Sequence, residues 1–350
     1  MNKKIIRQSV GIDCSKDELV VAFGMMLEDF EEKILSNERF RNTQGGFKKL
    51  LQWGKKLGSK DIDVVYVIEA TGVYHESVSL FLYNAGQKIT VMLPNKVNAF
   101  SKTLKIKTVN DKVAAQAIAM MGLEKKLDPW QPPHEVYSKI KQLTRERDQL
   151  NVELTQNKNQ LHAEESGAWP NEGSIKRVRQ RIRFLDKQCL EVEQEIEELI
   201  DGHLWLKKKI KNLCTIKGIG YITAAIIVGE ADGFNLIRNK KQLVSYAGLD
   251  IVERESGTSV RGKTRISHKG NKYIRKSLHF PALAAIRSTD TMKALFVRLV
   301  GKHGIKMKAV VAVQRKLLEL VYVLWKNDTV FDPEYSRNKE SSSLQTALTN

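Results

Sequence analysis

The sequence predicts an α/β domain followed by a mostly all-α remainder, on three observations. Strand-like runs alternate with helical segments over residues 1–127. The cluster Asp128-Pro129-Trp130-Gln131-Pro132-Pro133 then interrupts the chain, because prolines so closely spaced cannot continue a helix. From there to Trp325 the apolar residues recur with helical spacing, apart from one glycine-rich basic stretch.

The elements of the first block follow in order. Ile5–Cys14 and Leu19–Phe23 are β-branched runs separated by the polar turn Ser15-Lys16-Asp17. Glu32–Leu35 is a third strand, and Thr43-Gln44-Gly45-Gly46 opens the amphipathic helix Phe47–Leu57. A strong strand follows at Val64–Ile68, then a helix from His75 to Asn84 stopped by Gly86. A strand at Ile89–Leu93 is stopped by Pro94, and a helix from Asp111 through Met121 closes the block. Three strands in a meander followed by alternating helix and strand is the order of an RNase H-like domain.

Residues 128–204 form a linker and a helical, coiled-coil region. Ile182, Leu185, Cys189, Val192, Ile196 and Leu199 recur at alternating steps of three and four, a heptad seam. Ile140, Leu143, Leu150, Leu154 and Leu161 keep a compatible register, interrupted by Arg147 and Asn157. With Gly167-Ala168-Trp169-Pro170 between the halves, this reads as a helical hairpin or an oligomerising coiled coil. Residues 205–332 form a second, mostly helical domain. The tail 333–350 is rich in Ser, Asn, Lys and Thr and is expected to be disordered.

The chain has 350 residues, with 58 Lys and Arg against 40 Asp and Glu, a formal net charge of +18. Such an excess points to a polyanionic partner, nucleic acid first. No run approaches the length of a membrane span, and the N-terminus lacks the pattern of a signal peptide. Cys14, Cys189 and Cys214 are widely spaced and form no CxxC, which fits reduced thiols in a cytoplasmic protein.

Two C-terminal motifs suit phosphate. Ile216-Lys217-Gly218-Ile219-Gly220, ahead of an apolar helix, has the pattern of a helix-hairpin-helix. Its glycines let the backbone approach a phosphate, with Lys217 beside them; a plain turn between packed helices is the other reading. The stretch 254–276 carries Arg254, Arg261, Lys263, Arg265, Lys269, Lys272, Arg275 and Lys276 against a single acid, Glu255. Ser256-Gly257-Thr258-Ser259 lies within it; by spacing alone a Ser-Gly pair is more often a turn, but a serine set among cations could also be a nucleophile that attacks phosphorus.

Three acids stand out in the N-terminal block. Asp13 ends the first strand in Gly11-Ile12-Asp13-Cys14, Glu69 follows the fourth in Ile68-Glu69-Ala70, and Asp111 opens the last helix. In an RNase H-like sheet the first and fourth strands are neighbours and that helix crosses them. The three carboxylates would then hold Mg²⁺ or Mn²⁺. Taken singly, each also reads as a surface charge, and Asp111 as a helix cap.

With these motifs in hand, the chain resembles the DEDD transposases of bacterial insertion sequences, the bridge-RNA-guided recombinases related to the Piv DNA invertases. The resemblance covers residues 5–332. It rests on GIDCSKD at 11–17, IEATGVY at 68–74, NDKVAAQAIA at 110–119, IKGIG at 216–220, SYAGL at 245–249 and ESGTSVRGKTRISHKGNKYIRKSL at 255–278. It implies a RuvC-like N-terminal domain with an Asp-Glu-Asp-Asp tetrad for divalent metal, and a C-terminal domain with a serine nucleophile. It further implies a covalent phosphoserine intermediate, donor and target DNA, a structured noncoding guide RNA, and a homo-oligomer with active sites shared between protomers. Nucleoid association in the bacterial cytoplasm goes with it. Carried over by position, the ligands are Asp13, Glu69 and Asp111 and the nucleophile is Ser256, with Ser259 as runner-up.

One position departs from the family pattern. Where the motif has its fourth acid, this chain has Ala114, which cannot ligate a metal. One reading is an engineered or natural loss of catalysis with nucleic-acid binding kept; the other is a three-ligand site that still works. Two other functions compete: a structure-selective nuclease that uses the acids and not Ser256, and a non-catalytic nucleic-acid-binding form.

Overall fold

A computed structural model of the chain describes residues 3–70, 72–104, 110–235, 237–252, 255–256, 260–261, 265–267 and 269–332. Two compact units divide at the proline cluster, residues 1–132 and 133–350.

The first unit is built on a five-stranded sheet. Three antiparallel strands open it: β1 Ile5–Cys14, β2 Glu18–Leu27 and β3 Glu32–Arg41. Helix α1, Gln44–Leu57, leads to β4, Val64–Glu69; α2, Glu76–Asn84, leads to β5, Lys88–Met92. Helix α3, Pro94–Ser101, and helix α4, Asp111–Glu124, complete the unit. The strand order is β3-β2-β1-β4-β5, with β4 parallel to β1 and β5 parallel to β4. A meander continued by two parallel strands through helical crossovers is the RNase H-like arrangement.

Alternation along β1 sorts its side chains. Val10, Ile12 and Cys14 join Phe47, Leu50, Val78 and Leu82 of α1 and α2 in one core. The opposite face is covered by α4, whose Ala115 and Ala119 pack with Val20 and Ala22, while Ile118 and Met121 pack with Val67, Met92 and Phe100.

The second unit is helical. Helices α5, Glu135–Glu165, and α6, Glu172–Asp201, pack along each other as a hairpin. Their facing residues, Leu150, Leu154, Leu185, Cys189, Val192 and Ile196, belong to one large core. That core continues through α7, Leu204–Cys214; α8, Tyr221–Glu230; α9, Lys240–Tyr246; α10, Lys272–Ser277; α11, His279–Ser288; α12, Asp290–His303; and α13, Lys306–Asn327. Between α9 and α10 lie two short antiparallel pairs nested in sequence. β6, Ile251–Val252, pairs with β9, Arg265–Ile266, and β7, Glu255–Ser256, pairs with β8, Val260–Arg261. These nested pairs are termed the arm. The tail from 333 onward lies outside the described residues. No helix among the described residues is long and apolar enough to cross a membrane.

Candidate functional site

Asp13 is the penultimate residue of β1 and Glu69 the last of β4. Ile12 lies beside Ile68 in the parallel register, so one further step sets Asp13 alongside Glu69. Alternation places both on the face of Gly11 and Val67, the one α4 covers. Helix α4 lies so close that a Cβ on Gly11 would sit 2.2 Å from the Ala115 carbonyl oxygen and the Ala119 amide nitrogen. Only glycine permits that approach.

Asp111 is the first residue of α4. The cap is its neighbour Asn110, whose Oδ1 accepts from the Val113 N–H at 2.9 Å. The plain role open to Asp111 is thus already filled, and its carboxylate stays exposed at the end of the helix nearest Asp13.

Electrostatics tie the three acids together. Burial, and then repulsion from Asp111, hold the Asp13 carboxyl above the usual carboxylate range. Burial, and then Asp13, shift Glu69 the same way. The Cys14 thiol, buried next to them, is pushed up to about 12 by burial and by both carboxylates. Carboxylates that raise one another's proton affinity suit a divalent cation, which relieves the repulsion. Among the described residues, however, no three His, Cys, Asp or Glu side chains converge closely enough to hold one ion. The donor set fits a hard cation in chemistry and placement, while its side chains are not drawn around a single point.

In the second unit, Ser256 ends β7 opposite Val260 of β8. Ser259, Arg254 and Lys263 lie outside the described residues, as do the side chains of Ser256 and Arg261. Arg265, Lys269 and Lys272 are exposed, with the Lys272 ammonium 5.1 Å from the centre of the Tyr273 ring. Arg275 is engaged in the fold, donating from a guanidinium nitrogen to the Ala247 carbonyl at 2.7 Å. Lys217 is exposed in the turn between α7 and α8. Gly218 has φ +97, and a Cβ there would lie 2.5 Å from the Pro281 carbonyl oxygen. Gly220 caps α8 with open space around it.

The root of the arm is clamped. Glu230, its side chain fully buried, accepts from Arg145 Nε at 2.6 Å and a second guanidinium nitrogen at 3.0 Å. Its other oxygen also takes Asn271 Nδ2 at 2.6 Å, and its carbonyl takes the Tyr246 hydroxyl at 2.8 Å. Asn271 in turn caps α10 and donates its N–H to the Tyr246 carbonyl. Ser267 binds Asp250 across the two ends of the arm, at 2.5 Å through its hydroxyl.

A family model for the DEDD transposase of IS110 type matches residues 10–164. A second, described as Transposase IS116/IS110/IS902 family, matches residues 210–297, and together they span more than half of the chain. The chain belongs to the IS110 family of transposases. Pilin gene-inverting proteins of Moraxella lacunata and Moraxella bovis are 26% and 27% identical to it, each over 92% of this chain and 97% of their own length. The transposase for insertion sequence element IS1328 of Yersinia enterocolitica is 24% identical over 70% of this chain and 79% of its own. Thermus thermophilus RuvC in complex with a Holliday junction substrate aligns at 15% identity over 35% of this chain and 99% of that one, with a TM-score of 0.26. The RNase H-like assignment rests on strand order and register instead.

The class of this transposase is DNA transposition and recombination. The first family segment takes in Asp13, Glu69, Asp111 and Ala114; the second takes in the 216–220 turn and the arm. Ala114 is half-buried, four residues before Ile118 and seven before Met121, on the stripe of α4 that packs toward β4 and β5. An acid there would stand on the Glu69 side. The clamp of Arg145, Glu230 and Asn271 was not foreseen from sequence. Its signal was a single carboxylate ending the otherwise apolar run Ala224-Ala225-Ile226-Ile227-Val228-Gly229.

Proposed function

We propose that this transposase cuts and rejoins DNA through a phosphoserine intermediate, with a structured RNA as guide, Ser256 as nucleophile, and Asp13, Glu69 and Asp111 as ligands of a divalent cation. The observation that carries the reading is the arrival of three carboxylates, from β1, β4 and α4, on one face of an RNase H-like sheet, with Asp13 facing the charges of both Glu69 and Asp111. Bound there, Mg²⁺ or Mn²⁺ would offset the charge on phosphate oxygens.

The chain's own part is nucleophilic. The Ser256 hydroxyl gives up its proton and its oxygen bonds to phosphorus; the bond from phosphorus to the 3′ oxygen breaks, and that oxygen leaves as a hydroxyl after taking a proton. The 5′ phosphoryl stays on the serine until another 3′-hydroxyl, losing its proton, attacks it; the bond from phosphorus to the Ser256 oxygen then breaks, the serine takes back a proton, and the strands are rejoined. Lys217, Arg254, Arg261, Lys263, Arg265, Lys269 and Lys272 neutralise phosphates; Gly220 leaves the backbone at 216–220 open to them, while Gly218 seats that turn against α11. Arg275 supports this surface from beneath. In this reading residues 1–127 are the RuvC-like catalytic domain, 128–204 the oligomerising region and 205–332 the domain of the serine, with sites completed between protomers.

Ala114 marks a form impaired in cleavage, because losing one hard ligand weakens both the affinity and the geometry of a metal site. Incubation of the full chain with DNA, RNA and Mg²⁺, followed by denaturing electrophoresis, tests both points. A protein–DNA adduct should form, be lost in Ser256→Ala, and increase in Ala114→Asp. An adduct that persists in Ser256→Ala overturns the serine assignment, and cleavage without any adduct favours a water-using nuclease. Equal cleavage by Ala114→Asp and the parent chain overturns the impairment.

A further inference from the structure

The hairpin of α5 and α6 changes character along its length. Up to Leu154 on α5, and from Ile182 on α6, its apolar residues pack into the core of the second unit. Beyond those points its polar contacts stay within the hairpin itself: Lys158 with Asp186, Arg179 with Glu165 at 2.7 Å, Arg181 with Gln160 at 3.4 Å. With a rise of 1.5 Å per residue, this free end extends for about 15–20 Å.

Its composition is lopsided. Residues 155–183 contain six Lys and Arg against three Glu. Five of the basic residues, Lys176, Arg177, Arg179, Arg181 and Arg183, fall within one short run of α6, and all are exposed. Of the acids, Glu165 is taken by Arg179, and Glu164 accepts from Gln160 at 2.7 Å. Lys176, Arg177 and Arg183 make no ion pair among the described residues. At the tip, in the connection between the helices, Trp169 is 95% exposed.

The indole at the end of this basic arm presents a flat aromatic face beside a row of cations. Three kinds of partner are chemically open, and the surroundings favour one. A lipid surface asks for an apolar helix face, yet the first turns of α6 show a basic one. A second copy of the tip would bring like charges together. An unpaired base with its phosphates satisfies both features at once, since the ring stacks on it and the cations take the backbone.

We propose that the free end of the hairpin is an RNA contact, in which Trp169 stacks on an unpaired base of a structured RNA loop and Lys176, Arg177, Arg181 and Arg183 hold the flanking phosphates. This rests on the reading above that an RNA accompanies the transposase. Duplex DNA offers phosphates but no free base face, so the indole singles out an unpaired base, which the guide RNA of that reading supplies.

The test uses the full chain, a labelled RNA hairpin with an open loop and a DNA duplex of matched length. Trp169→Ala should weaken RNA binding roughly five- to a hundredfold, the range for losing one stacked base. Trp169→Phe should restore most of it. Replacing Lys176, Arg177, Arg181 and Arg183 together by Gln should lower the salt dependence of RNA binding by roughly two to four phosphate contacts. Duplex affinity, the melting curve and the mass by light scattering should all stay unchanged. Unchanged RNA affinity in these variants, an equal loss on the duplex, or a change of oligomeric state overturns the proposal. If the parent chain itself fails to bind the RNA hairpin, the guide-RNA reading falls too; if it binds and the variants bind equally, only this contact is refuted.

Discussion

At the scale of single residues, the site's charges oppose folding. Asp13 has its carboxyl raised by burial and by Asp111. A folded-state value above the unfolded one means that ionisation destabilises the native chain: the cost is absent below the ordinary carboxylate range, grows as pH rises through the raised value, and is complete above it. Asp13→Asn should therefore melt higher than the parent chain at neutral pH in chelator, with the gap closing below about pH 4. Thermal melts across that range check the sign; an Asn variant that melts lower at neutral pH would mean that the carboxylate is a net stabiliser. The residues of this site were readable because each acid sits at a strand end or a helix start. Glu230 was not, because its role depends on Arg145 and Asn271, remote in sequence and brought together only by packing.

At the scale of elements, the two glycines of the 216–220 turn have different jobs. Gly218 combines positive φ with a close approach to α11, so Gly218→Ala should cost about 1–3 kcal/mol in urea unfolding. Gly220, with φ −89 and free space, should tolerate alanine at a cost of no more than about 1 kcal/mol, the difference between the two residues at a helix cap. A large loss from Gly220→Ala would show that the turn is packed differently. Element types were legible where pattern and burial coincide, as in β1 and α1. Strand β3 runs to Arg41, well past the expected Leu35, because an edge strand held by its ladder to β2 needs no apolar alternation and reads as loop. Helix α3 was missed because Pro94 signals the end of β5 and, equally well, occupies the first turn of a helix.

At the scale of the molecule, each unit carries its own core. The clusters of the first unit draw on no residue beyond Trp130, so a fragment 1–132 should unfold cooperatively by itself. A fragment ending at 127 should be less stable by about 1–3 kcal/mol, since it strips the Trp130 N–H from the Ile89 carbonyl and the Asp128 carbonyl from the Thr90 hydroxyl. Calorimetry of the pair decides it, and equal melting would show that the 128–132 segment adds nothing. In the second unit the pairing of Arg145 with the buried Glu230 has a consequence for register. The apolar faces of α5 and α8 index residues by shape alone, chiefly at Gly229, where a Cβ would lie 2.9 Å from an Ile140 side-chain carbon. A carboxylate that must meet one guanidinium and one amide indexes them by charge as well: a slip of a single turn leaves a bare charge in the interior. The helix that opens the long hairpin and the loop that bears the serine are thus indexed to one another by Glu230, with the Lys276–Asp148 ion pair beside it.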